Sequence, residues 1–191
     1  MVVTADSVSE GAEFPRKVAG IDLSLTSTGI SAVDLSNGEM KLTRICSTGK
    51  KTDTLVQQIE RHNELSRRIV DSVLEHTPEL VGIEGMRFGS RQDSSAMRRA
   101  GVWWQVVNAL YAHGIPIVEV PPTTVKKWAT GKGNAGKDMV MIAAAKRWDQ
   151  VTQNDEADAA WIGDLVCYLK EADFINRTKA RDLIVKAIQL P

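Results

Sequence analysis

Short apolar runs that end in turn residues recur along the chain, and their lengths predict β-strands. Three of them follow one another near the start, and the Asn-Gly pair at 37–38 predicts a hairpin turn between the second and the third. Two more lie further along, separated by longer segments. The five predicted strands cover residues 17–22, 29–34, 40–47, 80–83 and 115–120.

Apolar residues three or four positions apart predict helices between and after these strands. We expect Asp53 to cap the first helix, which ends before Pro78. The later predicted helices cover residues 94–113, 137–148, 154–169 and 177–190, with a short helical turn at 125–128. A meander of three strands followed by alternating helices and strands predicts the α/β class, with one mixed five-stranded sheet flanked by helices.

The composition is that of an ordinary globular domain. The chain has 191 residues, of which 43% are apolar and 25% charged, which is enough for one domain with a substantial core. We expect the polar residues 1–16 to form a flexible tail. The sequence shows neither a membrane-spanning apolar run nor the pattern of a signal peptide, so we expect a cytoplasmic protein without membrane association.

The charge balance leaves a nucleic-acid partner open. Lys and Arg total 24, and Asp and Glu also total 24, so the formal net charge is zero. An acidic site can offset a basic face in this sum, and net charge therefore neither indicates nor excludes such a partner.

The Cys, His and Trp residues show no spacing typical of a metal or redox site. Cys46 and Cys167 lack a CxxC pattern, and we expect both to be small buried residues. Trp103 and Trp104 are adjacent on a predicted helix, so one can fill the core while the other is exposed at a dimer interface. We expect three histidines to be surface residues and not ligands: His62, His76 and His113.

Four acidic residues stand where the predicted fold can bring them together. Asp22 and Glu84 each end an apolar strand, and parallel strands place their carboxyl ends along one sheet edge, where ligands bind. Asp155 and Asp158 lie three positions apart in the first turn of a predicted helix, on one face of it. Helix capping by the acidic pair, and turn capping by Asp22, are alternatives that the sequence leaves open.

If the four carboxylates meet, they require cations, because like charges repel at short range. Ligation by oxygen alone, without His or Cys, favours Mg²⁺ or Mn²⁺ over zinc. Two such ions about 4 Å apart can stabilise both the attacking water and the leaving oxygen of a phosphodiester. We therefore predict a site with two ions.

Together these motifs resemble those of RuvC-type Holliday junction resolvases, members of the ribonuclease H-like superfamily. The resemblance runs from residue 17 to residue 169. The matching motifs are Gly-Ile-Asp-Leu-Ser-Leu-Thr-Ser-Thr-Gly at 20–29, Val-Gly-Ile-Glu at 81–84, Val-Pro-Pro-Thr-Thr-Val-Lys-Lys at 120–127, Gly-Lys-Gly-Asn-Ala-Gly-Lys at 131–137 and Asp-Glu-Ala-Asp-Ala at 155–159.

The resemblance implies a ribonuclease H-like nuclease domain over residues 17–172, with the C-terminal helix of 173–191 attached to it. It implies a homodimer that nicks two strands of a four-way DNA junction symmetrically with Mg²⁺ or Mn²⁺, giving 5′-phosphates, in DNA recombination, repair or phage DNA processing. The residues it identifies as catalytic are Asp22, Glu84, Asp155, Asp158 and Lys137, the four carboxylates also being the metal ligands.

Basic residues follow the same strands as the carboxylates, where they can bind the phosphates beside a scissile bond. The family places an aromatic residue three positions after the strand-end Glu, but here that position is Arg87 and the aromatic residue, Phe88, follows it. Phe88 can stack on an unpaired base. Arg98 and Arg99 fit a DNA-binding face and a solvated helix face equally well. The predicted DNA-binding residues are Arg87, Phe88, Arg91, Lys126, Lys132 and Lys137.

Other functions fit less well. Residues 131–137 match most of a phosphate-binding P-loop, but Asp138 replaces the Ser or Thr that such a loop requires, and no strand precedes it. A nuclease acting more broadly on flaps and forks is an alternative to a resolvase. A non-catalytic junction binder is a second alternative, although clustered carboxylates repel phosphates and give such a binder no advantage.

Overall fold

Five strands form one mixed sheet in the computed structural model, which describes residues 16–86 and 95–191. The strands are β1 (Lys17–Asp22), β2 (Ser27–Asp34), β3 (Met40–Cys46), β4 (Val81–Glu84) and β5 (Ile117–Val120). Their spatial order is β3-β2-β1-β4-β5. β1 to β3 pair antiparallel, whereas β1 pairs parallel with β4 and β4 parallel with β5. The prediction of a mixed five-stranded sheet is therefore confirmed.

Helices cover both faces of this sheet because its strands alternate their side chains between two cores. In β1, Ala19 and Ile21 face a core shared with two helices, whereas Val18 belongs to the core on the opposite face. The helices are α1 (Leu55–Leu74), α2 (Ala96–Ala112), α3 (Pro122–Thr130), α4 (Lys137–Ala145), α5 (Asn154–Leu169) and α6 (Lys179–Val185). α1 and α2 cover the first face, and α3, α4 and α5 cover the second.

The closest helix–sheet contact places α5 directly on β1 and β2. A Cβ at Gly20 would lie 2.4 Å from the backbone nitrogen of Gly163 and 2.6 Å from the carbonyl oxygen of Ala159, so this position requires glycine. The buried Ser31 hydroxyl donates to the same Ala159 carbonyl at 2.7 Å. These contacts fix α5 along the sheet, and they fix where its first turn lies.

The starts of α1 and α3 differ from the prediction in an informative way. Thr54, not Asp53, is the N-cap of α1: its hydroxyl accepts from the Gln57 N–H, and the Gln57 side chain accepts from the Thr54 N–H. The Asp53 carboxylate instead accepts from the Lys50 N–H at 2.7 Å. α3 is longer than the predicted turn, because Pro122 occupies a first-turn position that suits proline and the helix continues to Thr130.

Other ends of strands and helices also differ from the predicted ones. β2 begins two residues earlier than predicted, because Ser27 pairs with Cys46 across the sheet. α4 ends at Ala145, before the predicted end at 148. α6 is shorter than the predicted 177–190, because Thr178 caps its start and the chain after Val185 turns inward to bury Ile188.

Single-residue predictions had mixed outcomes. Trp103 is 6% exposed and Trp104 is 57% exposed, which confirms one buried and one exposed tryptophan. Cys167 is buried as predicted, but Cys46 is exposed because it ends an edge strand. The prediction that His76 lies on the surface was wrong, because this residue is buried in the structure, with 9% of its surface exposed. No helix in the described residues is long and apolar enough to cross a membrane.

The C-terminal segment packs against α3 and α5. The Tyr168 hydroxyl donates to the Asp182 carboxylate at 2.7 Å, and the Arg181 guanidinium lies 4.7 Å from the ring centre of Trp128. Ile175 and Ile188 are buried in the same core as α5. The predicted flexible tail, up to residue 15, lies outside the described residues.

Candidate active site

Asp22 and Glu84 lie next to each other at the carboxyl edge of the parallel strands. β1 and β4 pair in parallel with Ile21 opposite Ile83, so the next residue of each strand reaches the same edge. The indole N–H of Trp103 donates to the Glu84 carbonyl at 3.0 Å and fixes the end of β4. Asp22 and Glu84 line one cavity.

The turn after Asp22 is closed by a hydroxyl, not by Asp22 itself. Thr28 donates to the Ser24 carbonyl at 2.9 Å and accepts from the Ser24 N–H at 3.1 Å. The alternative that Asp22 caps this turn is therefore wrong.

The first turn of α5 brings the acidic pair to the same edge. Glu156 provides the capping contact of this helix, accepting from the Gln153 N–H at 3.0 Å, so Asp155 and Asp158 are not needed as caps. Asp158 lines the cavity together with Asp22 and Glu84. Asp155 lies on the β2 side, where its carboxylate accepts a hydrogen bond from the Ser27 hydroxyl.

Basic side chains complete this cavity, whose volume is about 310 Å³. Lys126 of α3 and Lys137, the first residue of α4, line it together with the carboxylates. Arg99 of α2 also lines it, which distinguishes Arg99 from Arg98. The structure thus brings five predicted residues into one cavity: Asp22, Glu84, Asp158, Lys126 and Lys137.

Other predicted residues are placed differently. Lys132 is exposed in the loop after α3 and does not line the cavity. Three predicted DNA-binding residues lie outside the described residues: Arg87, Phe88 and Arg91. The sequence did not single out Ser27 or Arg44, although the Arg44 guanidinium nitrogen Nε lies 4.0 Å from the Asp155 carboxylate.

Burial and neighbouring carboxylates raise the proton affinity of Asp22 and Asp158. Burial, followed by the charges of Glu84 and Asp158, raises the pKa of Asp22 well above its ordinary value, and Lys137 partly opposes this. Burial also raises the pKa of Asp158, against the charges of Lys137 and Lys126. The cavity therefore favours binding of positive charge.

The donor set suits a hard divalent cation, because it consists of carboxylate oxygens. Among residues 16–86 and 95–191, no three His, Cys, Asp or Glu side chains are grouped closely enough to hold an ion as they stand. Asp22, Glu84 and Asp158 nevertheless share one cavity, so side-chain movement within it can complete a ligand set. The carboxylate oxygens therefore suit the ion chemically, but the described side chains must move closer together to coordinate it.

Comparisons with known proteins identify a family to which this chain is similar. Residues 18–163 match the family described as Crossover junction endodeoxyribonuclease RuvC. The chain is 31% identical over 149 residues to the enzyme of that name from Synechococcus sp. (strain CC9311), covering 75% of this chain and 91% of the relative. It is 30% identical over 145 residues to the enzyme from Synechococcus sp. (strain WH7803), with the same coverage.

Solved structures share the fold. Thermus thermophilus RuvC in complex with Holliday junction substrate has a TM-score of 0.66 and 23% identity, covering 82% of this chain and 96% of that chain. The yeast mitochondrial Holliday junction resolvase Ydc2 has a TM-score of 0.57 and 15% identity, covering 93% and 87% respectively.

The sheet order and the helices on both its faces define the class of ribonuclease H-like folds. Within that class, the chain belongs to the RuvC family of crossover junction endodeoxyribonucleases. The family resemblance and the fold predicted from the sequence are both confirmed, as is the prediction of an endodeoxyribonuclease.

Proposed function

We propose that this chain resolves four-way DNA junctions by metal-dependent hydrolysis at the sheet edge. The observation that carries the proposal is the cavity in which three carboxylates face three basic side chains, in a member of the RuvC family. Acidic residues alone would repel DNA, and basic residues alone would only bind it. Their juxtaposition suits a site that holds a phosphodiester beside cations.

The four carboxylates are the proposed metal ligands. Asp22 is the central one, because it ends the middle strand β1 and is influenced by the charges of Glu84, Asp155 and Asp158 together. Mg²⁺ or Mn²⁺, as two ions, would supply activation of water and stabilisation of the leaving oxygen. The carboxylates hold and orient this charge at the sheet edge. The bond that breaks is the one between phosphorus and the 3′ oxygen, which leaves a 5′-phosphate and a 3′-hydroxyl.

Two lysines bind the phosphate in this proposal. Lys137 opens α4, and its charge lowers the proton affinity of both Asp22 and Asp158, so it lies near the reacting group. Lys126 affects Asp158 and lies further along α3. Lys137 stabilises the reacting phosphate, and Lys126 contacts the DNA backbone. Arg99 joins them in the same cavity. Lys132, Arg87, Phe88 and Arg91 remain proposed DNA contacts, and of these only Lys132 lies among the described residues, outside the cavity.

A homodimer follows from the need to cut two strands symmetrically. Three large apolar side chains recur every seven residues on α2 and are exposed: Met97 by 84%, Trp104 by 57% and Tyr111 by 79%. Residues at this spacing share one helix face. Exposed apolar stripes of this kind mark protein interfaces. We therefore propose that this face of α2, here called the α2 face, pairs with a second copy.

The test compares a synthetic four-way junction with a flap, a fork and a linear duplex of matched sequence, each incubated with the protein and Mg²⁺. Paired symmetric nicks in the junction alone, absent with Asp22→Asn, are expected. Equal cutting of flaps and forks would replace resolvase activity with broader branched-DNA cleavage. Junction binding without cutting in either Mg²⁺ or Mn²⁺ would favour a non-catalytic binder.

Two variants separate chemistry from binding. Asp158→Asn is expected to lower the cleavage rate by at least about 100-fold while junction affinity is kept, and Lys126→Ala to weaken affinity mainly. Cleavage by Asp158→Asn at a rate near that of the wild type would show that the proposed metal ligands are wrong.

A further inference from the structure

Asp155 differs from the other three carboxylates because two side chains of the antiparallel strands engage it. The Ser27 hydroxyl donates to its oxygen Oδ2. The Arg44 nitrogen Nε lies 4.0 Å from the same oxygen. Asp22, Glu84 and Asp158 instead face the cavity. The side chain of Asp155 is therefore tied to side chains of β2 and β3.

Both contacts involve one oxygen and leave the other available. Among the described residues, no hydrogen bond is made to Oδ1 of Asp155. The charge of Asp155 acts on both Asp22 and Asp158, so its carboxylate lies within electrostatic reach of the cavity. A carboxylate held by one oxygen can still offer the second to a cation.

The backbone gives this arrangement a rigid base. β2 places Ser27 beside Cys46 of β3, and it places Gly29 beside Arg44. Gly29 lies directly against the backbone of Asp155, where a Cβ would be 2.0 Å from the Asp155 carbonyl oxygen. β2 therefore contacts both the backbone and the side chain of Asp155, and the strand pairing fixes Arg44 next to it.

Arg44 also balances charge from outside the cavity. Lys126, Lys137 and Arg99 all line the cavity, whereas Arg44 reaches Asp155 from the edge strand with 39% of its side chain exposed. The Asp155 side chain is only 15% exposed, so the pair is partly shielded from water. An ion pair in this position holds a carboxylate orientation more firmly than a fully solvated pair does.

We propose that Ser27 and Arg44 are positioning residues for the metal centre: they fix Oδ2 of Asp155 so that Oδ1 is presented to a divalent cation. This inference rests on the proposed function, in which Asp155 is a metal ligand. Residues that hydrogen-bond a ligating carboxylate commonly change metal affinity by 10- to 100-fold when they are removed. Ser27 donates a hydrogen bond to the carboxylate, and a loss of about 10-fold is expected for Ser27→Ala. Arg44 lies 4.0 Å away and removal of its positive charge by itself favours a cation, so a smaller loss is expected for Arg44→Gln.

The measurement is Mn²⁺ binding to the DNA-free protein by isothermal titration calorimetry, which does not depend on cleavage. Ser27→Ala and Arg44→Gln are expected to weaken Mn²⁺ affinity, and the conservative Ser27→Thr and Arg44→Lys to recover part of it. Lys41→Gln is the matched control, because it removes the same charge from the same strand about 10 Å away. Thermal melting without metal confirms that each variant is folded.

Cleavage gives a second readout. If the two residues only position a ligand, high Mn²⁺ restores most of kcat in Ser27→Ala and Arg44→Gln, and the main change is the metal concentration required. Loss of junction affinity in EDTA by Arg44→Gln, with Mn²⁺ affinity unchanged, would make Arg44 a DNA contact and overturn the inference for it.

Asp155→Asn separates failure of the inference from failure of the proposed function. If Asp155→Asn weakens Mn²⁺ binding but Ser27→Ala and Arg44→Gln do not, the positioning role is wrong and the metal site stands. If Asp155→Asn itself leaves Mn²⁺ affinity unchanged, Asp155 is not a ligand, and both proposals fail for this residue.

Discussion

At the scale of single residues, the site holds carboxylates close enough together to repel one another. Asp22 ends a central strand among other carboxylates, and burial together with the charges of Glu84 and Asp158 raises its pKa. A folded-state pKa above that of the unfolded chain means that the folded protein holds this proton more tightly. The resulting stabilisation is complete below the ordinary Asp pKa of about 3.9 and is lost as pH rises through the raised value.

We therefore expect Asp22→Asn to be more stable than the wild type in the absence of metal at neutral and alkaline pH. The difference should grow from about pH 4 upwards, and a rise in Tm of roughly 2–6 °C at pH 8 is expected for a chain of this size. Differential scanning calorimetry in EDTA across pH measures it. Added Mg²⁺ should shrink the difference, because cations stabilise only the ionised site. A variant that is less stable than the wild type at pH 8 in EDTA would contradict this account.

The sequence pattern predicted which acidic residues come together at the sheet edge, but not which side chains contact them. A strand-end Asp or Glu after an apolar run is visible in the sequence, and so is an acidic pair in a helix start. Ser27 and Asp155 lie 128 positions apart, and their contact depends on how α5 lies on the sheet. Arg44 reaches Asp155 only because β3 pairs with β2 in one particular register. Nothing local in the sequence marks either residue.

At the scale of elements, a buried carboxylate joins three of the helical segments. Asp164 of α5 is 3% exposed; it accepts from the Trp128 indole at 2.8 Å and pairs with Arg147, just after α4, at 2.5 Å. α3 and α4 carry Lys126 and Lys137, which line the cavity. The cluster of contacts around Asp164 therefore holds the helices that carry these two lysines against α5.

Asp164→Ala should therefore destabilise the protein strongly. Removing the carboxylate leaves the buried Trp128 indole without an acceptor, whereas Arg147 is 37% exposed and can be solvated, so the expected cost is about 2–3 kcal/mol. Equilibrium urea unfolding measures the loss, and Asp173→Ala, which alters an exposed carboxylate, is the control. A change below about 1 kcal/mol would mean that the cluster does not hold these helices together.

The α2 face makes a separate prediction about assembly. Trp104→Glu places a charge at the centre of the proposed interface, and we expect the dimer to dissociate into monomers. Size-exclusion chromatography with light scattering measures this, and Leu183→Glu, at an exposed apolar position of α6, is the control. A monomeric wild type, or a Trp104→Glu variant that stays dimeric, would rule out pairing through this face.

Element positions followed from apolar spacing, whereas element ends did not. Runs of apolar residues located all five strands of the sheet. The ends depend on individual hydrogen bonds and on proline, such as the Thr54 cap and Pro122 in the first turn of α3. Asp53 and Thr54 are both residue types that commonly cap helices, so the sequence does not distinguish them. The hydrogen bond from the Gln57 N–H to the Thr54 hydroxyl identifies Thr54 as the cap.

At the scale of the whole molecule, the segment 173–191 lies beyond the residues that match the family, which end at 163. We predict that it belongs to the nuclease domain. Deleting it would expose Trp128 and Tyr168 and remove the buried Ile175 and Ile188. Losing two buried isoleucines costs about 3–6 kcal/mol, which corresponds to a fall in Tm of roughly 10 °C.

Thermal melting of a chain ending at residue 172 tests this prediction. Junction cleavage at a temperature well below the lowered Tm should persist, because the segment contributes no residue to the cavity lining. An unchanged Tm would show that the segment is an independent appendage.

The exposed Cys46 has a practical consequence for measuring how two active sites are spaced. It is one of two cysteines in the chain, and the other, Cys167, is buried with a pKa raised by that burial, so a maleimide reagent should label Cys46 alone. Its sulfur lies 3.9 Å from the Ser27 hydroxyl, close to Asp155. In the proposed homodimer, one spin label at this position on each protomer would let pulsed electron resonance measure the separation of the two reaction centres in solution. That separation determines how far apart on the DNA the paired nicks can fall.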